Sequence, residues 1–438
     1  MCGRVLPLFQ EPPAGSRRRY ASQRHSGVQP AGCRVAGAGP RRCICQRIGV
    51  DQYAYGQGGR SMSVPFFQIT EGFTRALPLL EEGLAEFHRQ SGWVNDQQVR
   101  AFEQAIATYT GAPHAIATGN ATDSLIICLM ALGIGPGDEV IVPCYSFFAS
   151  VSCILQVGAT PVFVDIEPGS YAIDCSLIEA CITPRTRAIM PVHLFRQMAE
   201  MDALMDIARR HGLKVVEDSA EGIGMRWNDR HAGLIGDLGV LSFFPTKTLG
   251  ALGDAGMVLT RDADLARRVR QILDNGRDAS GLAQCLGYNS RMDDLQALWL
   301  RARLPELDQE IERRAALRDA YDLHLGPLGE YLQVPVTLPR AARQRCVDYV
   351  YLIEAQNRDG LAEHLAARGI GVEAYYPLPL HLQPVCAGPT HAEGRFPVAE
   401  RAATRALGLP LYADLTASDV ASVCQAITEF YAAAGAQS

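Results

Sequence analysis

Lysine is the scarcest charged residue in this 438-residue chain. Of 41 basic side chains, only Lys214 and Lys247 are lysines, and the other 39 are arginines. A GC-rich genome that favours Arg codons accounts for the bias, and its consequence is chemical. Any reaction that needs a side-chain primary amine has two candidates. The chain also lacks an uninterrupted apolar run near the ~18 residues that cross a bilayer. No apolar segment follows the N-terminal charges, which argues against a secretory signal peptide. The expectation is a cytoplasmic protein with no membrane partner. Thirteen cysteines show no repeated metal-ligand spacing. Those in apolar contexts, such as Cys128 and Cys153, read as small hydrophobes in a reducing compartment, and no metal is expected. Positive charge is concentrated at one end. Residues 1–61 hold ten Arg and two acids, so the rest of a chain whose net charge is −6 carries −14. That balance disfavours nucleic acid as a partner.

Three regions are expected. Residues 1–61 are rich in Gly, Pro, Arg and Ser without periodicity, which predicts disorder or an extension ahead of a start at Met62. Residues 62–310 read as a large α/β domain and 311–438 as a smaller α+β domain. In the large one, a helical stretch Thr122–Leu132 is followed by a Gly-Pro-Gly-Asp turn at Gly135–Asp138. Short strand-like runs come next: Val140–Val142, Pro161–Ile166, Ala188–Val192, Lys214–Glu217, Val240–Phe243 and Met257–Thr260. Met201, Leu204, Met205 and Ala208 recur at helical spacing, and Asp262 is placed to cap a helix carrying Leu265, Val269 and Ile272. This alternation predicts a mostly parallel sheet covered on both faces. A charged helical stretch over 293–325 leads to a strand at Val347–Ile353, a helix from Asp359 and a last helix with Val420, Val423, Ile427 and Phe430 on one face.

In open α/β sheets ligands bind beyond the carboxyl ends of the strands. Lys247 follows the strand Val240–Phe243, where an amine in a cleft can form a Schiff base; the alternative is a solvated surface lysine. Lys214 opens its strand and so falls at the opposite edge. Asp218 closes the same strand. A carboxylate there pairs with a cationic ring nitrogen at roughly 4 kcal/mol for 4 Å in an effective dielectric near 20, or else caps a helix. Gly119-Asn-Ala-Thr122 precedes a helix, so its backbone N–H groups suit a phosphate, with plain N-capping by Asn120 or Thr122 as the alternative. Phe147 is either a platform for a planar ring or a core residue. An amine, a carboxylate, a phosphate cup and an aromatic platform together describe a pyridoxal phosphate site.

Seven stretches in order resemble the DegT/DnrJ-type family of pyridoxal-phosphate-dependent sugar aminotransferases, over about residues 64–432. They are Thr122-Asp-Ser-Leu125, Gly135-Pro-Gly-Asp-Glu-Val140, Gly158-Ala-Thr-Pro-Val-Phe-Val-Asp165, Glu217-Asp-Ser-Ala220, Ser242-Phe-Phe-Pro-Thr-Lys247, Gly287-Tyr-Asn-Ser-Arg-Met-Asp-Asp-Leu-Gln296 and Tyr376-Pro-Leu-Pro-Leu-His-Leu-Gln383. The resemblance implies a fold-type-I aminotransferase with a mostly parallel central sheet and a smaller C-terminal α+β domain. It also implies a homodimer with sites at the interface. Lys247 matches the Schiff-base lysine and Asp218 the partner of the pyridine nitrogen. Ala121, Thr122 and Ser242 match the phosphate cup, Phe147 the ring-stacking position, and Asn289 an Asn reaching the phosphate from the partner subunit. Arg291, Tyr375 and Tyr376 fall where related enzymes contact a nucleotide-linked sugar.

The chain departs from the family pattern at Ala121, where a Cβ is added, and at Glu221, where Gln or His is usual beside the cofactor. It departs also at Arg196, Met198 and Tyr375. The expected reaction moves an amino group from glutamate to a nucleotide-diphosphate keto-sugar, with a 3-keto carbon preferred to a 4-keto one. Two other readings stay open: different pyridoxal phosphate chemistry of the cyclitol or aminohydroxybenzoate type, and a non-catalytic regulator that binds a sugar nucleotide.

Overall fold

The computed structural model describes residues 63–435, apart from 91–93, 95, 335–343, 387 and 389–391. The expectations for residues 1–61 and for a start at Met62 lie outside the described residues. Two helices, α1 (Glu71–Gln90) and α2 (Gln97–Thr110), lead into strand β1 (His114–Thr118) and helix α3 (Ala121–Ala131). Asn120 starts α3. Its backbone is extended, and its side chain accepts the N–H of Asp123 at 2.8 Å. Capping therefore falls to Asn120, which leaves the Thr122 hydroxyl uncommitted to it.

The chain then alternates strand and helix: β2 (Glu139–Pro143), α4 (Ala149–Gln156), β3 (Thr160–Val164), β4 (Thr186–Ile189), α5 (Met201–His211), β5 (Lys214–Asp218), β6 (Leu238–Ser242), β7 (Gly256–Thr260) and α6 (Ala263–Leu273). The Gly135–Asp138 turn closes ahead of β2, with Asp138 N–H donating to the Gly135 carbonyl at 3.1 Å. Asp262 caps α6 by accepting the N–H groups of Asp264 and Leu265. The seven strands form one sheet in the order β1-β7-β6-β5-β4-β2-β3, in which β7 runs against both neighbours and the other pairs are parallel.

Strand side chains alternate between two apolar clusters, one on each face. Ile141, Ile189, Val215, Leu241 and Met257 pack with residues of α2 and α5. Val140, Val142, Ala188, Val216, Val240 and Val258 pack with α3, α4 and α6. Both faces are dry, which is why the strands read as continuous apolar runs.

Helices α7 (Asp294–Arg303) and α8 (Leu307–Leu325) occupy the charged stretch expected as one helix. A 3-10 turn at Leu304–Glu306 divides them, because Pro305 lacks the N–H that a continuous helix needs. Beyond α8 an antiparallel sheet pairs β8 (Leu332–Gln333), β9 (Tyr351–Ala355) and β10 (Ala406–Leu409), with α9 (Arg358–Ala367) and α10 (Ala417–Gly435) packed on it. Val420, Val423 and Ile427 are buried on α10 as the spacing predicts, and Phe430 is partly buried beside them. The expected strand Val347–Ile353 is displaced to Tyr351–Ala355. Its first residues bond elsewhere: Val347 N–H donates to the Arg196 carbonyl and Tyr349 N–H to that of Phe195.

Candidate active site

Strand polarity gathers the predicted site residues at one edge of the sheet. β5 ends at Asp218, β6 ends at Ser242, and α3 opens just after β1. Because β7 is reversed, its first residue, Gly256, lies at this same edge, paired with both Ser242 and Thr118. A Cβ on Gly256 would come within 2.5 Å of the Asn120 carbonyl carbon. Only glycine lets the Ser242 strand end approach the opening of α3 so closely, and the pieces of the expected phosphate cup (Ala121, Thr122 and Ser242) thereby become neighbours. The methyl that Ala121 adds packs against the apolar cluster beneath the sheet.

Lys247 rides on the excursion between β6 and β7. Its Nζ lies 3.3 Å from Glu221 Oε1 and 4.4 Å from the centre of the Tyr349 ring, and its side chain is only 15% exposed. Burial favours the neutral amine; Tyr349, Glu221 and Asp218 outweigh it and hold the amine above the ordinary lysine range. Lys214, by contrast, opens β5 at the far edge and pairs with Asp237 in solvent.

Asp218 is buried, with Oδ2 accepting the Ser150 hydroxyl at 2.7 Å and Oδ1 the Ala220 N–H at 3.2 Å. Burial pushes its carboxyl above the usual range, opposed by those two donors and by the charge of Lys247. Glu221 faces the amine. Its other oxygen accepts the Phe195 N–H at 2.6 Å, and burial pushes its carboxyl up against the pull of Lys247. The preceding residue to Asp218 is an anchor. Glu217 is fully buried and accepts from Gly233, Ile235 and Gly236 N–H groups and from His193 Nε2. Burial alone would raise its carboxyl, but His193 and the backbone donors hold it below the usual range.

Phe147 follows β2 and is 58% exposed, its ring 6.4 Å from that of Tyr376. Of its two sequence readings, a core residue is excluded. Tyr375 and Tyr376 join Phe195 in an aromatic group, with ring centres 5.9 and 6.3 Å from the Phe195 ring. The Tyr145 hydroxyl holds their shared peptide, donating to the Tyr375 carbonyl and accepting the Tyr376 N–H. Burial first, and then the charges of Glu221 and other neighbours, push the Tyr376 phenol well above its usual range. Asn289 and Arg291 are not brought to this group. Arg291 Nε donates to Asn289 Oδ1 at 3.0 Å, and among the described residues no hydrogen bond or ion pair joins either to Lys247, Asp218 or Glu221.

Three contributors escape sequence reasoning: Ser150, Tyr349 and the Phe195 peptide. Ser150 lies three residues after Phe147, so a polar residue on the buried face of a helix next to a strand exit was its available signal. Tyr349 lay inside a run read as strand and gave none.

The arrangement can hold a planar, anionic, electron-withdrawing cofactor. A buried carboxylate faces the sheet edge, a helix opening offers free N–H groups, and an exposed ring lies nearby. Comparisons with known proteins agree. A family model, the DegT/DnrJ/EryC1/StrS aminotransferase family, matches residues 80–428. The chain is 42% identical to a "Pleiotropic regulatory protein" of Geobacillus stearothermophilus, over 84% of this chain and 99% of that one. It is 39% identical to a UDP-N-acetyl-3-dehydro-alpha-D-glucosamine 3-aminotransferase of Acidithiobacillus ferrooxidans, over 84% and 98%. A dTDP-3-amino-3,4,6-trideoxy-alpha-D-glucose transaminase of Streptomyces venezuelae is 37% identical over 84% and 96%. Among solved structures, DesV of S. venezuelae superposes with a TM-score of 0.80 at 37% identity, over 84% of this chain and 98% of that one. NtdA of Bacillus subtilis, with bound cofactor PMP, gives 0.75 at 30% identity over 86% of each. The chain belongs to the DegT/DnrJ/EryC1/StrS aminotransferase family, and its cofactor is pyridoxal phosphate.

Proposed function

We propose that this protein transfers an amino group from glutamate to a keto carbon of a nucleotide-diphosphate sugar, the 3-keto carbon in preference to the 4-keto one. The observation that carries this reading is the buried Lys247 amine, set against Glu221 and within the field of Asp218 at the ligand-binding edge of the sheet. Two relatives whose names specify amino chemistry at carbon 3 support the choice of carbon, as does the Tyr376–Gln383 segment.

When bound, pyridoxal phosphate supplies an electron-withdrawing ring that carries the amino group between the two substrates. Lys247 would hold it covalently. Ala121 and Thr122 N–H groups with the Ser242 hydroxyl would take its phosphate, and Phe147 would lie on its ring. Asp218, kept in place by Ser150 and Ala220, would pair with the ring nitrogen as a carboxylate and so favour its protonated form. With its amine free, Lys247 would take the donor's α-proton on Nζ and later give it back. Tyr375 and Tyr376 bound the space above the amine and orient the sugar. We assign Asn289 and Arg291 to the site of a partner subunit in a homodimer, since both lie on an outer segment and neither reaches Lys247 in its own chain.

The test is spectral. Glutamate added to the pyridoxal-loaded protein should convert it to the pyridoxamine form, and a panel of 3-keto and 4-keto sugar nucleotides should then return it. Return by 4-keto sugars alone breaks the carbon assignment. An absence of conversion with every amino donor favours the regulator.

A further inference from the structure

A carboxylate and an aromatic face bracket the Lys247 amine, at 3.3 Å and 4.4 Å. A lysine joined to the cofactor through its nitrogen no longer presents an ammonium head. Both neighbours are in place for the ammonium of the free amine.

The two are fixed by one residue, Phe195. Phe195 N–H donates to Glu221 Oε2 at 2.6 Å, which leaves Oε1 for the amine, and the Phe195 carbonyl accepts the Tyr349 N–H at 2.8 Å. Phe195 adopts φ +61°, in the left-handed region where a bulky side chain is uncommon, and its ring is buried among Tyr171, Tyr375 and Tyr376. The Tyr349 carbonyl is tied in turn to Arg314 Nη1 of α8 at 3.1 Å. Tyr349 is only 7% exposed, so its ring meets the amine away from water, where a cation over an aromatic face is worth most.

We propose that Glu221 and Tyr349 form a berth for the unlinked Lys247 amine, built on the N–H and the carbonyl of Phe195, that holds it as the ammonium. This rests on the reading of Lys247 as the residue that takes the cofactor. In the donor half of the reaction the α-carbon's C–H bond breaks, the proton joins the Nζ lone pair, and the bonding electrons stay with the carbon side. The berth stabilises the product of that transfer on the lysine, and so draws the proton to Lys247. Asp218 adds its charge from β5, and Tyr375 and Tyr376 pack on the ring of the same Phe195. Glu221 and Tyr349 are positioning residues: they touch the lysine.

The scarcity of lysine makes the test direct. Full-length protein labelled with 13C at lysine Cε and loaded with pyridoxamine 5′-phosphate has two side-chain resonances, assigned with Lys214→Arg. The Lys247 midpoint should lie above the ordinary lysine range in the parent. It should fall by about one pH unit or more in Glu221→Gln and by about one half to one unit in Tyr349→Leu. Midpoints of Lys247 unmoved in both Glu221→Gln and Tyr349→Leu, with the Lys214 resonance still native, overturn the berth. If Tyr349→Leu displaces the Lys214 resonance to its unfolded position, Tyr349→Met takes its place under the same criterion. Borohydride trapping of the pyridoxal form separates the two readings. Label outside the Lys247 peptide breaks the functional reading, whereas label on Lys247 with an unmoved midpoint breaks only the berth.

Discussion

The two edges of the central sheet carry the same kind of ion pair and put it to opposite use. At the opening of β5, Lys214 meets Asp237 at 2.8 Å, with side chains 53% and 25% exposed. Beyond the close of β6, Lys247 meets Glu221 at 3.3 Å, with side chains 15% and 3% exposed. Ranked by distance the first pair is the stronger. Ranked by desolvation the order reverses, and chemistry follows the second ranking. A solvated pair is screened and contributes about 0–1 kcal/mol, whereas removing one partner of a buried pair strands the other at roughly 3–5 kcal/mol. The lesson is that an amine becomes a reagent through what excludes water from it.

The comparison breaks most decisively at Lys247. Lys247→Ala should abolish borohydride-trapped label and lower turnover by at least about a thousandfold, since the nucleophile and the proton carrier are lost together. Retained trapping would mean that the solvated edge supplies the amine after all. Asp218→Asn should cost about ten- to a hundredfold in turnover, the scale of one charge-assisted hydrogen bond, with trapping at Lys247 preserved. Loss of trapping instead would assign Asp218 to holding the lysine.

Stability sharpens the contrast further. Glu217→Gln turns an amide NH₂ toward backbone N–H groups that Glu217 now accepts, so unfolding free energy should fall by about 2–3 kcal/mol in chemical denaturation. A neutral result would show that this buried anchor relaxes as readily as a surface pair. The pH dependence of Asp218 has a definite sign. Burial raises its carboxyl in the folded chain. As pH rises, the unfolded chain releases this proton first, so the folded state loses stability from the ordinary carboxylate range upward through the folded value. Asn does not titrate. The melting temperature of cofactor-free Asp218→Asn, relative to the parent, should therefore be higher at pH 7.5 than at pH 4.5 by about a degree or two. The reverse trend would place Asp218 among residues stabilised by ionisation. The smallest effect belongs to the solvated edge. Lys214→Ala should change stability by less than about 1 kcal/mol and leave turnover within about twofold.

Much of this was legible beforehand. Apolar runs ending in Asp218 and preceding Lys247 gave both the sheet and its working edge, because strands buried on two faces are apolar throughout. Strand β1, His-Ala-Ile-Ala-Thr, was not read, since its alanines carry little β-propensity. The helix expected over 293–325 is interrupted at Pro305, a local rule that the pattern of charges obscured. In the site, Glu221 stood out by its type, but only the fold shows that it faces the amine. Tyr349 was invisible. It reaches Lys247 through a pairing of residues 347–349 with 195–196, and no local pattern encodes such a contact. Asn289 and Arg291 were legible by resemblance alone, and among the described residues neither is hydrogen-bonded or ion-paired to the reactive group.

The excursion that bears Lys247 leaves β6 and returns in β7, and those two strands are hydrogen-bonded neighbours. Phe243 N–H donates to the Ala255 carbonyl, Ala251 N–H to that of Phe243, and the Trp299 indole to that of Gly250. Gly250 is so close to the Pro245 carbonyl that a Cβ would lie 2.2 Å from its oxygen. The segment is thus an arch with both feet mortised into the same wall, not an arm swinging from one shoulder. A lysine on such a keystone exchanges partners by turning about its own side-chain bonds, while the masonry beneath it stays still.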